Sequence, residues 1–374
     1  MGIAFVSIML AYAVALLFIT RKWLALPQSF DSPTGRQSKI TIVIPVRNEA
    51  KNIITLLNAI QDQNYPKEFF EIMVMDDQSN DETYQLVNDF KNQSPLNIQL
   101  LQSNPKKGSP KKQAIELAIE ASRGDIIVTT DGDCQVGPNW LNSINQAFER
   151  DHTQLVMGPV AYEVHTLADR LQWIEFSALQ AMSGVLLALG LPSMGNGANL
   201  AYRKSAFVAV KGFKGNLNVA SGDDEFLVRK MASKYGVKSL QYLKSTDAVV
   251  ATEPAQGIQS IINQKIRWSS KWKHQPGTAP WLFPIVILLF NVLPLLGLTA
   301  YAYSFIELDI LVSGWVLKGL GDIAFAQSSA TFFNREHRWI DLIIAEIIYP
   351  VYVLFFGIAS IFGQYTWKDR RYNE

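Results

Sequence analysis

Two long stretches without a charged side chain stand near opposite ends of this chain, and they limit its possible folds more than any other feature. The first, residues 2–20, reads GIAFVSIMLAYAVALLFIT and runs directly into Arg21-Lys22. As a helix it reaches roughly 28 Å, close to the ~30 Å hydrocarbon layer of a bilayer. A cleaved signal peptide carries its basic residues ahead of the apolar run and a small-residue cleavage site behind it. Here the basic pair follows, so residues 1–22 read as a retained membrane anchor. The positive-inside tendency then places the chain from Arg21 onward on the cytoplasmic side.

The second run, residues 281–306, is WLFPIVILLFNVLPLLGLTAYAYSFI, interrupted only by Pro284, Asn291 and Pro294. Prolines are tolerated in spanning helices because neighbouring groups satisfy the freed carbonyls. Residues 308–326 carry Lys318 and Asp322, and 339–362 carry Asp341 and Glu346 only near their start. A C-terminal membrane region over 281–362, with two or three spans, is expected. Its topology carries a conflict. Three crossings leave the basic tail Lys368-Asp369-Arg370-Arg371 outside, and two leave Arg335-Glu336-His337-Arg338 there instead.

Charges concentrate between about residues 30 and 275, and this middle is long enough for one substantial α/β domain. A net charge of +1 with no dominant basic face says nothing in favour of nucleic acid, and none is expected as a partner. The single cysteine, Cys134, excludes an internal disulfide, and His152, His165, His274 and His337 have no zinc-ligand spacing with it. Oxygen-ligated metals remain open, since carboxylates suffice for them.

From Lys39 the chain reads KITIVIPVRNE, a helical stretch, EIMVMDDQSND, another helix, IQLLQSN, a third helix, then DIIVTTDGDC. Short β-branched runs alternating with amphipathic segments are the pattern of a parallel sheet flanked by helices, which binds ligands at the carboxyl ends of its strands. Polar residues sit at those ends: Pro45 to Glu49, Asp76 to Asp81, and Asp131 to Asp133. Asp76 and Asp77 can accept hydrogen bonds from a base or ribose, or can cap the next helix with Ser79 and Asp81. Asp131 and Asp133, separated by a glycine that permits close approach, can hold a hard cation that itself binds a diphosphate, or can form a polar turn.

Two further clusters allow two readings each. Asp223-Asp224-Glu225, opening a helix after Gly222, suits either a carboxylate base or ordinary capping. Gln264-Lys265-Ile266-Arg267-Trp268, shortly before the 281–306 run, suits either a headgroup anchor or a site for diphosphate and sugar. Residues 166–190 lose their charges after Glu175. An interfacial helix is expected there, because a span would put the Gly222 cluster on the opposite side from Asp131.

In order, PVRNE (45–49), DDQSND (76–81), DGD (131–133), GDDEFL (222–227) and QKIRW (264–268) resemble the family 2 glycosyltransferases over about residues 39–275. The framing apolar runs resemble the membrane members, such as ceramide glucosyltransferases and the cellulose, chitin, hyaluronan and poly-N-acetylglucosamine synthases. The resemblance implies a GT-A, Rossmann-like α/β catalytic domain at 39–275, with interfacial helices at 166–190 and 256–275 and flanking transmembrane helices. It implies inverting transfer from a nucleoside-diphosphate sugar, a UDP-sugar in the first instance, with Mg2+ or Mn2+, to a lipid or glycan acceptor. A processive polysaccharide synthase is the alternative. The implied location is a multi-pass protein of the bacterial inner membrane with its catalytic domain in the cytoplasm.

The resemblance also implies roles. Pro45, Glu49, Asp76, Asp77, Lys112 and Asp131 would meet the nucleotide sugar, and Asp131 and Asp133 the metal. Asp224 would be the catalytic base, with Asp223 in its place if the alignment slips by one, since many relatives have Glu-Asp here. Gln264, Arg267 and Trp268 would bind diphosphate and acceptor. Lys111-Lys112-Gln113-Ala114 and Gly195-Asn196-Gly197-Ala198-Asn199 resemble further family segments, more loosely.

Overall fold

The computed structural model describes residues 1–28, 35–104, 108–270, 279–362, 364–368 and 370–373. The chain begins with α1 (Gly2–Leu24), β1 (Ile40–Val46), α2 (Ile53–Gln61), β2 (Phe70–Asp76), α3 (Thr83–Gln93) and β3 (Ile98–Gln102). It continues with α4 (Pro110–Ala121), β4 (Ile126–Thr129), β5 (Cys134–Val136), α5 (Trp140–Phe148), β6 (Leu155–Met157) and β7 (Val160–Tyr162). Next come α6 (Leu167–Ala188), β8 (Leu200–Arg203), α7 (Lys204–Ala209), α8 (Asp223–Tyr235), β9 (Leu240–Tyr242) and β10 (Val250–Thr252). The last elements are α9 (Ile258–Ser270), α10 (Ala279–Ala302), α11 (Leu308–Phe332), α12 (Trp339–Phe362), β11 (Gln364–Trp367) and β12 (Arg370–Asn373).

These elements form two compact units, one of Pro27–Glu163 with Leu186–Glu253 and one of Met1–Leu26, Val164–Val185 and Pro254–Glu374. The first is an α/β unit built on a seven-stranded sheet in the order β3-β2-β1-β4-β8-β6-β9. Strands β3, β2, β1 and β4 run parallel, and every residue of β2 is buried. Burial on both faces is what the unbroken apolar runs of such strands reflect. Val43, Met73 and Ile127 pack with Ala114, Ile115, Ala118 and Ile119 of α4 and with Leu227, Val228 and Met231 of α8 in one core.

The expected parallel sheet is present in β3, β2, β1 and β4, and it is extended by β8, which runs antiparallel to both β4 and β6. Between β4 and β8 the chain makes a long excursion through β5, α5, β6, β7 and α6. A second sheet, β5-β10-β7, pairs β10 antiparallel to β5 and parallel to β7.

The second unit is helical. Gly2–Leu24, Pro284–Ala302 and Trp339–Ala359 are long and apolar enough to cross a membrane. Their outward side chains include Leu10, Val14 and Phe18 on α1 and Ile343, Ile347 and Val351 on α12. Exposed apolar surface of that extent needs an apolar surrounding. The charged stretch at 308–326 is helical within α11; Asp309 is exposed, and Lys318 turns inward. Lys318 is fully buried and donates to Asp322 (2.7 Å) and Glu346 (2.8 Å), while the Tyr12 hydroxyl donates to Asp322 (2.6 Å). Helix α1 lies close on α11 because Gly314 has no side chain there: a Cβ would fall 2.2 Å from the Phe5 ring. The expected helices at 166–190 and 256–275 appear as α6 and α9, and Val164–Val185 and all of α9 group with the helical unit. Residues 271–275 of the second lie outside the described residues.

Candidate active site

Strands β1, β2 and β4 are parallel neighbours, so their carboxyl ends share one edge of the sheet. Pro45 lies within β1, half-buried, and Asp76 closes β2 opposite Val46. Asp76 is 1% exposed and accepts the Ser79 N–H (3.4 Å), so it organises its own turn. Asp77 is buried as well and accepts the Ser103 hydroxyl (3.4 Å). The Arg47 guanidinium donates to the carbonyls of Asp77 (2.7 Å) and Gln78 (2.8 Å). The Asn48 N–H donates to Ser79 Oγ (3.0 Å), and Asn48 Oδ1 accepts the Asn80 N–H (2.9 Å), which laces the two strand-end loops together.

Glu49 is buried, its N–H donating to Thr83 Oγ1 (2.8 Å) and its carboxylate accepting from Asn52 (3.2 Å). Asp81 accepts the N–H groups of Thr83 (3.0 Å) and Ala50 (3.1 Å). Burial alone would push the Asp81 carboxyl up, but these hydrogen bonds outweigh it and hold it below the ordinary range.

The turn after β4 lies against the same loops. A Cβ on Gly132 would fall 2.8 Å from Val46 Cγ1 and 3.0 Å from Glu49 Cγ, so only glycine brings Asp131 and Asp133 this close to β1. Asp131 Oδ1 accepts the Lys111 ammonium at 2.7 Å, and the same ammonium stands 3.4 Å from Asp223 Oδ2. Asp223 and Asp224 open α8 directly after Gly222, whose left-handed φ of 78° turns the chain into the helix. Asp224 Oδ2 accepts the Gly197 N–H (3.3 Å). A Cβ on Gly197 would lie 2.9 Å from Asp223 Oδ2. Asp131, Lys111, Gly197, Asp223 and Asp224 thus form one group drawn from four segments of the α/β unit. Burial pushes the Asp223 carboxyl up, yet Lys111 and Lys112 outweigh it and keep it below its ordinary value.

Lys112, expected to meet the nucleotide sugar, is fully buried and serves the protein instead. Its ammonium donates to the carbonyls of Asn216 (3.0 Å), Val219 (2.8 Å) and Ser221 (2.9 Å) and sits 5.0 Å from the centre of the Phe226 ring. It clamps the segment that delivers Asp223 and Asp224. Lys111 is the lysine that reaches the carboxylates, a role the expected site residues did not give it. A signal for it exists in the sequence: Ser109-Pro110 marks a helix start, and Ser109 does cap α4. Two lysines in the first turn are at the wrong end of the helix dipole. Each needs an acceptor supplied from elsewhere in the fold.

Asp133 lines a cavity with Asn52, Thr55, Gln135, Glu163 and Glu253, on the β5 side of the turn. Among the described residues there is no group of three or more His, Cys, Asp or Glu arranged to hold an ion. Two carboxylates still fit a hard divalent cation of the magnesium class, which takes one or two protein carboxylates and completes its shell with phosphate oxygens and water. That Asp131 already accepts a cation, the Lys111 ammonium, shows the carboxylate oriented for positive charge.

Gln264, Arg267 and Trp268 belong to α9 in the helical unit. The Gln264 carbonyl oxygen is shielded from water with no hydrogen-bond partner among the described residues. Such an atom costs about 1–3 kcal/mol unless a donor reaches it. The Arg267 side chain is partly buried, and the Trp268 ring stacks on Phe176 with centroids 6.1 Å apart.

Comparison with known proteins gives this arrangement a context. The family described as Glycosyl transferase family group 2 matches residues 126–359, and Glycosyl transferase family 2 matches residues 41–210. Glycosyltransferase AglE of Haloferax volcanii is 27% identical over 231 residues, covering 61% of this chain and 71% of AglE. Hyaluronan synthase of Streptococcus pyogenes is 24% identical over 303 residues, covering 73% of this chain and 68% of the synthase. The poly(ribitol-phosphate) β-N-acetylglucosaminyltransferase TarS of Staphylococcus aureus is 29% identical over 119 residues, but the match spans only 20% of TarS. Among solved structures, the mannosyltransferase PcManGT of Pyrobaculum calidifontis, in complex with GDP-Man and Mn2+, superposes with a TM-score of 0.59 at 17% identity, covering 96% of each chain. That likeness gives the α/β unit a GT-A fold. With one family match extending over well more than half of its length, the chain belongs to the family 2 glycosyltransferases.

Proposed function

We propose that the chain transfers a sugar from a nucleoside-diphosphate sugar to a lipid acceptor at the cytoplasmic face of a membrane, inverting the anomeric centre. The observation that carries this reading is the single group formed by Asp131, Lys111, Gly197, Asp223 and Asp224 at the carboxyl edge of the sheet. The acceptor hydroxyl oxygen attacks the anomeric carbon, the bond from that carbon to the diphosphate breaks, and the nucleoside diphosphate leaves. Asp224 takes the hydroxyl proton. Asp223 suits that task less well, because its ion pair with Lys111 holds it below the ordinary carboxyl range.

Asp131 and Asp133 would hold a divalent cation, and the complex of PcManGT with Mn2+ supports this assignment. When bound, that cation offsets negative charge on the diphosphate oxygens. Lys111 offers a second positive group at the same place. Asp77, at the mouth of β2, with Pro45 on β1 and Glu49 in the loop after it, would border the nucleoside, while Asp76 shapes the turn. Gln264, Arg267 and Trp268 would serve diphosphate and acceptor, and the shielded Gln264 carbonyl, lacking a donor among the described residues, supports a hydroxyl partner there. The catalytic domain is assigned to residues 39–275. The three apolar helices support a multi-pass membrane protein, of the bacterial inner membrane in this reading, with its catalytic domain cytoplasmic.

The match to hyaluronan synthase over 73% of the chain favours a second reading, a processive synthase. Membranes carrying the protein, incubated with labelled UDP-glucose, UDP-N-acetylglucosamine and GDP-mannose in turn, separate the two. Label in an organic-soluble product supports single addition to lipid, and label in a high-mass polymer supports the synthase. Donor left intact in all three incubations would contradict both.

A further inference from the structure

Around Trp268 the helical unit contains a polar connection that neither the family motifs nor the roles above explain. Lys265, the second residue of QKIRW, is 7% exposed at its side chain and pairs with Glu175 Oε2, itself 17% exposed. The same carboxylate oxygen accepts the Tyr352 hydroxyl at 2.9 Å. Glu175 lies on α6, Lys265 on α9 and Tyr352 on α12, so one partly buried carboxylate ties three helices.

The connection ends on the tryptophan. Lys265 and Trp268 are three residues apart on α9 and therefore share a face. The Lys265 ammonium stands 4.5 Å from the centre of the Trp268 ring. That ring in turn stacks on Phe176, the residue next to Glu175, at 6.1 Å and an interplanar angle of 27°. Two adjacent residues of α6 thus engage two residues of α9: carboxylate with ammonium, and ring with ring. A cation over a ring face is attracted by the ring's quadrupole, and desolvation strengthens the attraction.

Stability alone is a poor reason for such an arrangement. A buried ion pair returns little over a well-packed apolar pair, because desolvating two charges offsets most of their attraction. What it supplies is a fixed geometry. An ammonium tied to Glu175 stays at one distance from the indole, and the indole keeps one orientation.

We propose that Glu175 and Lys265 are positioning residues for Trp268, holding its indole as a rigid platform for the sugar ring or headgroup of the acceptor, with Tyr352 linking this platform to the membrane helix α12. The proposal rests on the reading of Trp268 as an acceptor-side residue. It adds that the two variable positions inside the Gln-x-x-Arg-Trp motif are not equivalent in this chain. Lys265 is the one that orders the tryptophan.

The test uses the full-length protein in detergent, labelled with 5-fluorotryptophan, with the Trp268 fluorine resonance assigned by its loss in Trp268→Phe. Lys265→Met and Glu175→Gln are expected to shift or broaden that resonance and leave the signal of Trp140, in the α/β unit, in place. Lys265→Arg, which keeps charge and ring contact, is expected to restore it. In transfer assays with UDP-glucose, UDP-N-acetylglucosamine and GDP-mannose as donors and total membrane lipid as acceptor source, Lys265→Met is expected to raise the acceptor KM about tenfold, with donor KM held. A Trp268 resonance that stays unmoved in Lys265→Met overturns the positioning role. Trp268→Ala with unchanged acceptor kinetics overturns the acceptor role instead, which keeps the two failures apart.

Discussion

Lys111 and Lys112 are neighbours in sequence and differ in everything else. Successive residues on a helix point about 100° apart. One ammonium therefore meets Asp131 and Asp223 while the other disappears beneath the segment 216–221. Different consequences follow for substitution. Lys112→Met leaves three buried carbonyls without their donor, and a loss of on the order of 3 kcal/mol is expected, read as a lower unfolding midpoint. Lys111→Met removes a mostly buried cation, 16% exposed, from beside Asp131 and Asp223, so kcat should fall together with the midpoint. A Lys112→Met protein as stable as wild type would contradict the clamp. The acidic residues of this site were legible in the sequence because carboxylates at strand ends and at a helix start are few. Which of two adjacent lysines serves them was not, since the answer depends on the rotation of α4 against β4 and α8.

At the scale of elements, the α8 start and the Gly195–Asn199 segment meet through Gly197. Gly197→Ala places a methyl against Asp223 Oδ2, and the carboxylate must give way. A large fall in kcat with an almost unchanged unfolding midpoint is expected, and a fully active variant would contradict the packing. In the helical unit, His337 joins α6 to the segment between α11 and α12. Its Nε2 lies 3.1 Å from Ser177 Oγ. Burial pushes the ring down from 6.5 to about 4, with Asp341 opposing the shift.

Between those values the unfolded chain takes up a proton that the native ring refuses, so stability is greatest above pH 6.5 and is lost as pH falls toward 4. Melting scans across this window should show that loss in wild type and a weaker one in His337→Gln. The parallel half of the sheet was readable from unbroken apolar strands. The reversal at β8 was not, because an apolar run such as Leu200-Ala201-Tyr202 carries no information about strand direction.

For the whole molecule, the sequence already separated apolar ends from a charged middle, and the division into an α/β and a helical unit follows that separation in the main. It departs at α6 and α9. Both are amphipathic enough to read as part of the catalytic domain, yet their packing partners are the apolar helices. Lys318, the charge that left 308–326 open as a span, is cancelled inside the unit by Asp322 and Glu346, a pairing no linear pattern displays. Three helices of spanning length predict that alkaline carbonate leaves the full-length protein in the membrane pellet. Release into the supernatant would contradict the anchoring. Chelation with EDTA is expected to stop transfer, and readdition of Mn2+ or Mg2+ to restore it, whereas full activity in EDTA would remove the role given to Asp131 and Asp133.

In the proposed reaction the carboxylate group at the sheet edge performs sugar transfer with Asp224 as the base. Its most direct test is the release of nucleoside diphosphate from a labelled nucleotide sugar by wild type and Asp224→Asn, with donor binding measured on both. A rate lower by about 10²- to 10⁴-fold is expected in Asp224→Asn, with donor affinity unchanged. An Asp224→Asn enzyme that turns over at the wild-type rate would contradict it.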